Sequence, residues 1–130
     1  MDRVAERLDL AEKAQATLFA ALNNTALPPI ERRDVCILRF VYTFEATWKA
    51  AQAVLRVRHG IVANSPRAVV RDCVAVDILD EATGEGALHM VDHRNLVAHI
   101  YKEALAEDIW RDLPAHAAAL QAWLAGLKAV

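Results

Sequence analysis

Apolar residues recur along most of the chain at the three- and four-residue spacing of helices that bury one face. This periodicity predicts five helices, over about residues 2–22, 30–58, 65–76, 85–98 and 103–128. Gly84 and Gly86 predict that a loop over 77–86 precedes the fourth helix, and Pro114 should kink or split the last one. No segment alternates with a period of two for long enough to form a strand. The pattern therefore predicts an all-α, up-and-down bundle of four to five helices.

The composition is that of an ordinary globular protein. The 130 residues are 55% hydrophobic and 25% charged, which excludes a disordered chain, and this length is most simply one domain over 1–130. Cys36 and Cys73 lack a CxxC spacing and fall inside helical patterns, which predicts buried, reduced thiols. The N-terminus does not resemble a signal peptide, and no apolar run approaches the roughly 18 residues of a membrane span. We therefore expect a cytoplasmic protein that has no membrane segment.

Charge is distributed unevenly along the chain, although the formal net charge is only −2. Residues 32–71 carry a net charge of +6, and residues 72–112 carry a net charge of −7. The total therefore excludes only indiscriminate binding to nucleic acid. Two interpretations remain open: neighbouring helices pair their opposite charges, or one surface binds an anionic ligand or a charged partner.

Reactive side chains are concentrated at the end of the predicted fourth helix. They are His89, Asp92, His93, Arg94, Asn95, His99 and Tyr101. Asn95 and His99 share a helical face, whereas Arg94 and His99 lie about 140° apart around an ideal helix. Arg94 and His99 can converge if the helix loosens near His99, if the arginine reaches round the helix, or across a dimer interface. The remaining histidines, His59 and His116, are expected to be solvated or capping residues.

Several motifs of enzymes and metal sites are missing from the sequence. It contains no Gly-rich phosphate loop, no HExxH, no Cys/His metal quartet and no GxSxG. The sequence therefore predicts no metal and no cofactor. In the predicted second helix, Glu45 and Lys49 have the i,i+4 spacing of a simple helical ion pair.

Three segments of the chain resemble known families. Residues 94–101, RNLVAHIY, resemble the Arg-x4-6-His motif of HEPN domains in its Arg-x4-His-x-Tyr form. Residues 39–49, RFVYTFEATWK, are similar to a helix of nucleotidyltransferase substrate-binding proteins, and residues 59–69, HGIVANSPRAV, are similar to a turn of that family. The resemblance covers about residues 2–125. Departures include Val41, where the family often has Glu, and Asp77, where it often has Gly.

This resemblance implies a HEPN-like bundle that forms a homodimer and works with a minimal nucleotidyltransferase, in many cases as a toxin–antitoxin pair. In HEPN toxins the Arg/His pair is a metal-independent ribonuclease site, often built across the dimer. Carried over, His99 would be the general base or acid, Arg94 would hold the scissile RNA phosphate, and Asn95 would orient the phosphate or His99. Tyr101 matches the position to which partner nucleotidyltransferases add AMP. Its alternative role is capping or packing.

The resemblance also suggests binding residues and leaves other functions open. The candidate binding residues are Arg39, Glu45 and Lys49, together with His93. One alternative is a non-catalytic substrate-binding subunit of a nucleotidyltransferase, in which the basic second helix presents an anion to the partner. A further alternative is a structural dimer that carries a vestigial motif.

Overall fold

The computed structural model describes residues 3–99 and 102–130, which form five helices and no strand. The helices are α1 (Arg3–Leu22), α2 (Pro29–His59), α3 (Pro66–Ala75), α4 (Glu81–His99) and α5 (Glu103–Lys128). The central element is α2, which contacts each of the other four helices. The predicted all-α bundle is therefore confirmed. None of the helices in the described ranges has the length and apolar character needed to cross a membrane.

Large aromatic side chains fill the core where α2 meets α5. Phe40, Phe44 and Trp123 are fully buried, and the ring of Phe44 lies 6.4 Å from that of Phe40 and 6.3 Å from that of Trp123. Cys36 and Cys73 are buried and form no disulfide, as their positions in the helical pattern predicted. Burial raises the pKa of Cys73 to about 11, so this thiol is an inert part of the core at neutral pH.

The boundary between α2 and α3 follows the signals in the sequence. Gly60 has a φ of 68° and ends α2 in a left-handed conformation that glycine adopts without strain. The Gln52 side chain then donates a 2.7 Å hydrogen bond to the carbonyl of Ala63 and holds the connecting segment against α2. Finally, the Ser65 hydroxyl accepts a 3.2 Å hydrogen bond from the Ala68 N–H and caps α3.

The predicted loop over 77–86 is too long, because α4 begins at Glu81 and includes both glycines of that segment. The Asp80 carboxylate starts the helix by accepting a 2.7 Å hydrogen bond from a backbone N–H of the first turn. A Cβ atom at Gly84 would lie only 2.4 Å from a methyl of Val74. Gly84 is therefore present because α3 and α4 approach closely, and it does not form a turn.

Pro114 was expected to kink or split the last helix, and of these two outcomes the split is wrong. The helix α5 runs from Glu103 to Lys128 with Pro114 in its interior. Proline removes one backbone hydrogen bond, but α5 packs against α1, α2 and α4. Burial of residues on both sides of the proline, including Leu113 and Ala117, keeps the helix continuous.

A buried arginine fixes the start of α5. The Arg33 side chain of α2 is almost fully buried, and its Nη1 lies 2.6 Å from a carboxylate oxygen of Glu103 and 2.6 Å from one of Glu107. Its Nε donates a 3.0 Å hydrogen bond to Asp34. The hydrogen bond from Arg33 lowers the pKa of Glu103. Because Glu103 opens α5, this network fixes the position of the chain immediately after residues 100–101.

Candidate functional site

The last two turns of α4 carry three of the residues that the motif singled out. Arg94 is partly buried, whereas Asn95 and His99 are exposed. The helix stays regular to its final residue, His99. Consequently, Asn95 and His99 lie on one face of α4. Arg94 and His99 lie about 140° apart around the helix axis, as their spacing predicts.

Arg94 is held against α2 by a carboxylate. Its Nη2 lies 2.5 Å from Glu45 Oε1, and its Nη1 donates a 3.1 Å hydrogen bond to the Asn95 side chain. The other oxygen of Glu45 accepts a 3.2 Å hydrogen bond from the Trp48 indole. Glu45 therefore pairs with Arg94 across two helices, and the helical pair with Lys49 that the spacing suggested is not formed. The result is an arginine fixed in position close to the surface.

His99 stands apart from this ion pair. Within residues 3–99 and 102–130, His99 makes no hydrogen bond or ion pair with Arg94. The structure therefore places the two motif residues on the same helix end without bringing them into contact. The predicted modification site, Tyr101, lies outside the described residues.

The remaining predicted binding residues lie in three different places. The Arg39 guanidinium lies over the Tyr42 ring at 5.8 Å on α2. Lys49 lines a cavity of about 180 Å³ between α1, α2 and the segment that follows α2. His93 is buried between α4 and α5. The structure therefore does not gather Arg39, Lys49 and His93 around Arg94.

The cavity beside Lys49 is strongly basic. Its charged lining residues are Arg3, Arg7, Lys49 and Arg56. No carboxylate lines it, and these four cationic groups form no ion pair with any residue in the described part of the chain. Lys49 and Arg56 lie on the same stripe of α2 as Glu45. Positively charged side chains thus continue along this stripe of α2 beyond Glu45.

A second polar group lies inside the bundle, and sequence reasoning missed it. His93 Nδ1 lies 2.8 Å from His116 Nε2, and His89 Nε2 lies 2.9 Å from Asp112 Oδ2. The sequence predicted that His116 is a solvated or capping residue, and this prediction is wrong. His116 is 2% exposed, and its ring stacks on that of Phe40 with 5.0 Å between the ring centroids. A detectable signal was present, because His89/His93 and Asp112/His116 are each spaced i,i+4 and so share a helical face.

Burial changes the acid–base properties of this group. Burial, together with the neighbouring His93 and His89, lowers the pKa of His116 to about 4. Burial and the proximity of His89 also lower the pKa of His93. In contrast, the hydrogen bond with His89 lowers the pKa of Asp112 and favours its carboxylate form. At neutral pH the interior of the bundle therefore holds two uncharged imidazoles beside a carboxylate.

Almost the whole chain matches one protein family. Residues 6–129 match the family described as nucleotidyltransferase substrate binding protein like. A comparison with curated proteins finds no match. The family match includes α2 and the motif segment of α4, so it covers both helices that position Arg94.

Solved structures share the fold. A protein of Thermus thermophilus is 43% identical, with 91% of this chain and 98% of that chain covered and a TM-score of 0.82. The tri-AMPylated HEPN toxin of Shewanella oneidensis, solved in complex with an MNT antitoxin, is 17% identical over 100% of both chains, with a TM-score of 0.79. One chain of a solved mutant of the toxin–antitoxin pair MntA–HpeT is 16% identical, with 98% of each chain covered and a TM-score of 0.77. The likeness to the HEPN toxin shows that this chain shares its helical-bundle fold.

Proposed function

The chain belongs to the nucleotidyltransferase substrate binding protein-like family, and from this premise we propose that it is a HEPN-type ribonuclease toxin paired with a minimal nucleotidyltransferase antitoxin. The observation that carries the proposal is the end of α4, where the adjacent residues Arg94 and Asn95 lie about one turn before His99 and Glu45 orients the arginine. The similar fold of toxins that were solved in complex with MNT antitoxins supports the partner.

The proposed reaction is cleavage of RNA through attack by a ribose 2′-hydroxyl. His99 accepts the 2′-hydroxyl proton, because histidine is the side chain that most often serves as a general base. The 2′-oxygen then attacks phosphorus, the bond from phosphorus to the 5′-oxygen breaks, and the 5′-oxygen takes up a proton. The products are a 2′,3′-cyclic phosphate and a 5′-hydroxyl. Arg94 binds the phosphate and stabilises the charge that develops on it.

Glu45 has a positioning role in this proposal. It holds Arg94 at 2.5 Å while its second oxygen is bound by Trp48. Because Glu45 orients Arg94 before RNA binds, the arginine side chain loses less conformational freedom on binding. The incoming phosphate then competes with Glu45 for the guanidinium. The basic cavity further along α2, which Lys49 and Arg56 line, would bind a neighbouring part of the RNA backbone.

A homodimer would bring Arg94 and His99 of different protomers together. Since α4 stays helical through His99, loosening of the helix does not bring the two residues together within one chain. Leu38 and Val41 of α2 and Val97 of α4 line an apolar groove of about 370 Å³, and Leu38 is 48% exposed. Val41 and Val97 lie about one turn from Glu45 and Arg94, respectively. Association through this groove would place a second copy beside the ion pair.

Addition of AMP to Tyr101 is the proposed means of silencing. Tyr101 follows His99 by two residues, so the added phosphate would introduce negative charge next to the catalytic imidazole. That charge would repel the RNA phosphate and compete for Arg94. The HEPN toxin of Shewanella oneidensis with the same fold is tri-AMPylated, which supports modification of this kind.

The basic cavity favours a second candidate function. Four cationic side chains that have no acidic partner among the described residues surround about 180 Å³, which is suited to a phosphate-bearing ligand. In this alternative, the chain is a non-catalytic subunit that presents an anion to a nucleotidyltransferase. The two functions differ in what they require, because only the ribonuclease needs His99.

Expression of the chain alone tests the ribonuclease. We expect the wild-type protein to slow growth and to cleave RNA in the presence of a chelator, and Arg94→Ala or His99→Ala to reduce cleavage by about 100-fold or more. His59→Ala is the matched control, because His59 is an exposed histidine at the end of another helix. If the wild-type chain neither slows growth nor cleaves RNA, the ribonuclease proposal is wrong.

Co-expression with the neighbouring nucleotidyltransferase tests the silencing. The intact mass of the chain should increase by one or more AMP units, and cleavage should fall. Tyr101→Phe should prevent both changes while it leaves cleavage by the unmodified chain intact. An increase in mass that persists in Tyr101→Phe would place the modification elsewhere.

A further inference from the structure

Two pairs of side chains face each other across the interface between α4 and α5. His89 and His93 are spaced i,i+4 on α4, and Asp112 and His116 are spaced i,i+4 on α5. Each pair therefore projects from one face of its helix. Metal sites in helical bundles are built in this way, from side chains that point inward on facing helices, and two histidines at i,i+4 are a recurrent zinc-binding pair.

The distances bring four donor groups around one small volume. The imidazoles of His89, His93 and His116 each offer a nitrogen, and these three atoms lie within 4.8 Å of one another. Asp112 Oδ2 lies 2.9 Å from His89 Nε2 and 4.0 Å from His93 Nε2. In a tetrahedral zinc site, with bonds near 2.0–2.1 Å, the ligand atoms are about 3.3 Å apart. Small rotations of these side chains would bring the four groups to that spacing.

The surroundings of the cluster distinguish it from a set of surface histidines. His93 and His116 are 6% and 2% exposed, and Phe40 stacks on the His116 ring. Most buried positions along α4 and α5 are occupied by apolar residues such as Met90 and Leu120, so two imidazoles in this layer are unusual. His89 is half-exposed at the edge of the cluster and leaves a route from solvent to the buried nitrogens.

We propose that His89, His93, His116 and Asp112 bind one divalent transition-metal ion of the zinc class between α4 and α5. Three imidazoles and one carboxylate favour zinc, cobalt or nickel over magnesium and calcium, which prefer oxygen ligands. The ion replaces the hydrogen bond between His93 and His116 and joins α4 to α5 at the residue that immediately precedes Arg94. Its role is structural, so this proposal is independent of the ribonuclease.

Metal titration of the full chain tests the site. The protein is purified without a polyhistidine tag, treated with a chelator and titrated with Co²⁺ alone and with Zn²⁺ alone. We expect one Co²⁺ per chain, the visible absorption of a tetrahedral cobalt site, and displacement of the cobalt by Zn²⁺. Zn²⁺ should also raise the midpoint of thermal unfolding, because a ligand that binds only the folded state stabilises it.

Two variants at the exposed side of the cluster identify the ligands. His89→Ala and Asp112→Asn change half-exposed side chains, so neither should prevent folding, and each should weaken Co²⁺ binding at least about tenfold. His59→Ala and His99→Ala, which change exposed histidines outside the cluster, should bind Co²⁺ like the wild type. The proposal is overturned if the wild type binds no Co²⁺, or if His89→Ala and Asp112→Asn bind it with unchanged affinity.

Discussion

The buried imidazole of His116 couples the stability of the fold to pH. His93 and His89 of α4 face it, Asp112 lies one turn before it on α5, and Phe40 of α2 covers its ring. Burial and the two histidines lower its pKa to about 4, whereas a histidine in the unfolded chain titrates near 6.5. The unfolded state therefore takes up a proton at a higher pH than the folded state does.

The sign of the effect follows from this difference. The folded chain is most stable above pH 6.5, and it loses stability as the pH falls from 6.5 towards 4. For chelator-treated protein, we expect His116 to reduce the free energy of unfolding by about 2 kcal/mol between pH 7 and pH 5. Urea denaturation at both pH values measures the loss. In His116→Phe the loss should be smaller by that amount, and an equal loss in both proteins would contradict the prediction.

The sequence could nominate candidate site residues, but it could not predict their contacts. The spacing of residues 94–101 singled out Arg94 and His99 from the sequence. It could not reveal that Glu45 pairs with Arg94, because that contact depends on how α2 packs against α4. The burial of His116 also depends on tertiary packing. A histidine in an alanine-rich helix is typical of a surface residue, whereas the packing of α4 and of Phe40 from α2 buries His116.

At the scale of elements, two glycines within helices have opposite structural roles. A Cβ atom at Gly126 of α5 would lie 2.3 Å from the backbone carbonyl oxygen of Ile78, whereas one at Gly86 of α4 would meet nothing closer than Ala119 Cβ at 3.9 Å. A backbone oxygen cannot move aside cheaply. Gly126 is therefore required by the close approach of α5 to the connection before α4, and Gly86 is not required by any contact.

These two positions form a matched test of helix packing. Gly126→Ala should destabilise the chain by about 1–3 kcal/mol, because the methyl group overlaps a backbone atom. Gly86→Ala should stabilise it by about 0.5–1 kcal/mol, because alanine is the better helix former and ordinary space is available. Thermal or urea unfolding of both variants measures the difference. Equal effects at the two positions would show that the approach of Ile78 is not rigid.

The periodicity of the sequence predicted the helices better than it predicted their boundaries. Gly60 and Ser65 act as the stop and cap that their residue types indicate. Gly84 and Pro114 are equally strong signals for a helix break in a sequence, yet both lie inside helices. The difference comes from tertiary packing, which cannot be read from local sequence. Gly84 permits the close contact of α4 with Val74. The packing of α5 against three other helices outweighs the loss of the backbone hydrogen bond that Pro114 removes.

Across the whole molecule, part of the charge asymmetry is neutralised internally. Basic side chains of residues 32–71 pair with acidic side chains of residues 72–112 at two places, namely Arg33 with Glu103 and Glu107, and Arg67 with Asp92. These pairs support the interpretation that neighbouring helices pair their charges. The cavity beside Lys49 and Arg56 is different, because its cations have no acidic partner in the described ranges. Binding of an anionic ligand stays a prediction, and this cavity is the surface to which it applies.

The apolar groove between α2 and α4 leads to the final prediction, which concerns assembly. Leu38, which is 48% exposed, lies at the rim of the groove near the Arg94 ion pair. If homodimerisation covers the groove, Leu38→Asp should convert the protein to a monomer, because the dimer would bury an unpaired carboxylate. Light scattering coupled to size-exclusion chromatography measures the mass. Cleavage of RNA should fall together with the dimer, since Arg94 and His99 do not meet within one chain.

Leu10→Asp is the control for this change. Leu10 is 57% exposed on α1, so the variant introduces the same charge at a similarly exposed leucine outside the groove. It should remain dimeric and active. If Leu38→Asp and Leu10→Asp are both dimers of full activity, a different surface forms the dimer. If the wild type is a monomer that cleaves RNA, Arg94 and His99 must converge within one chain, and α4 has to open near His99 when RNA binds.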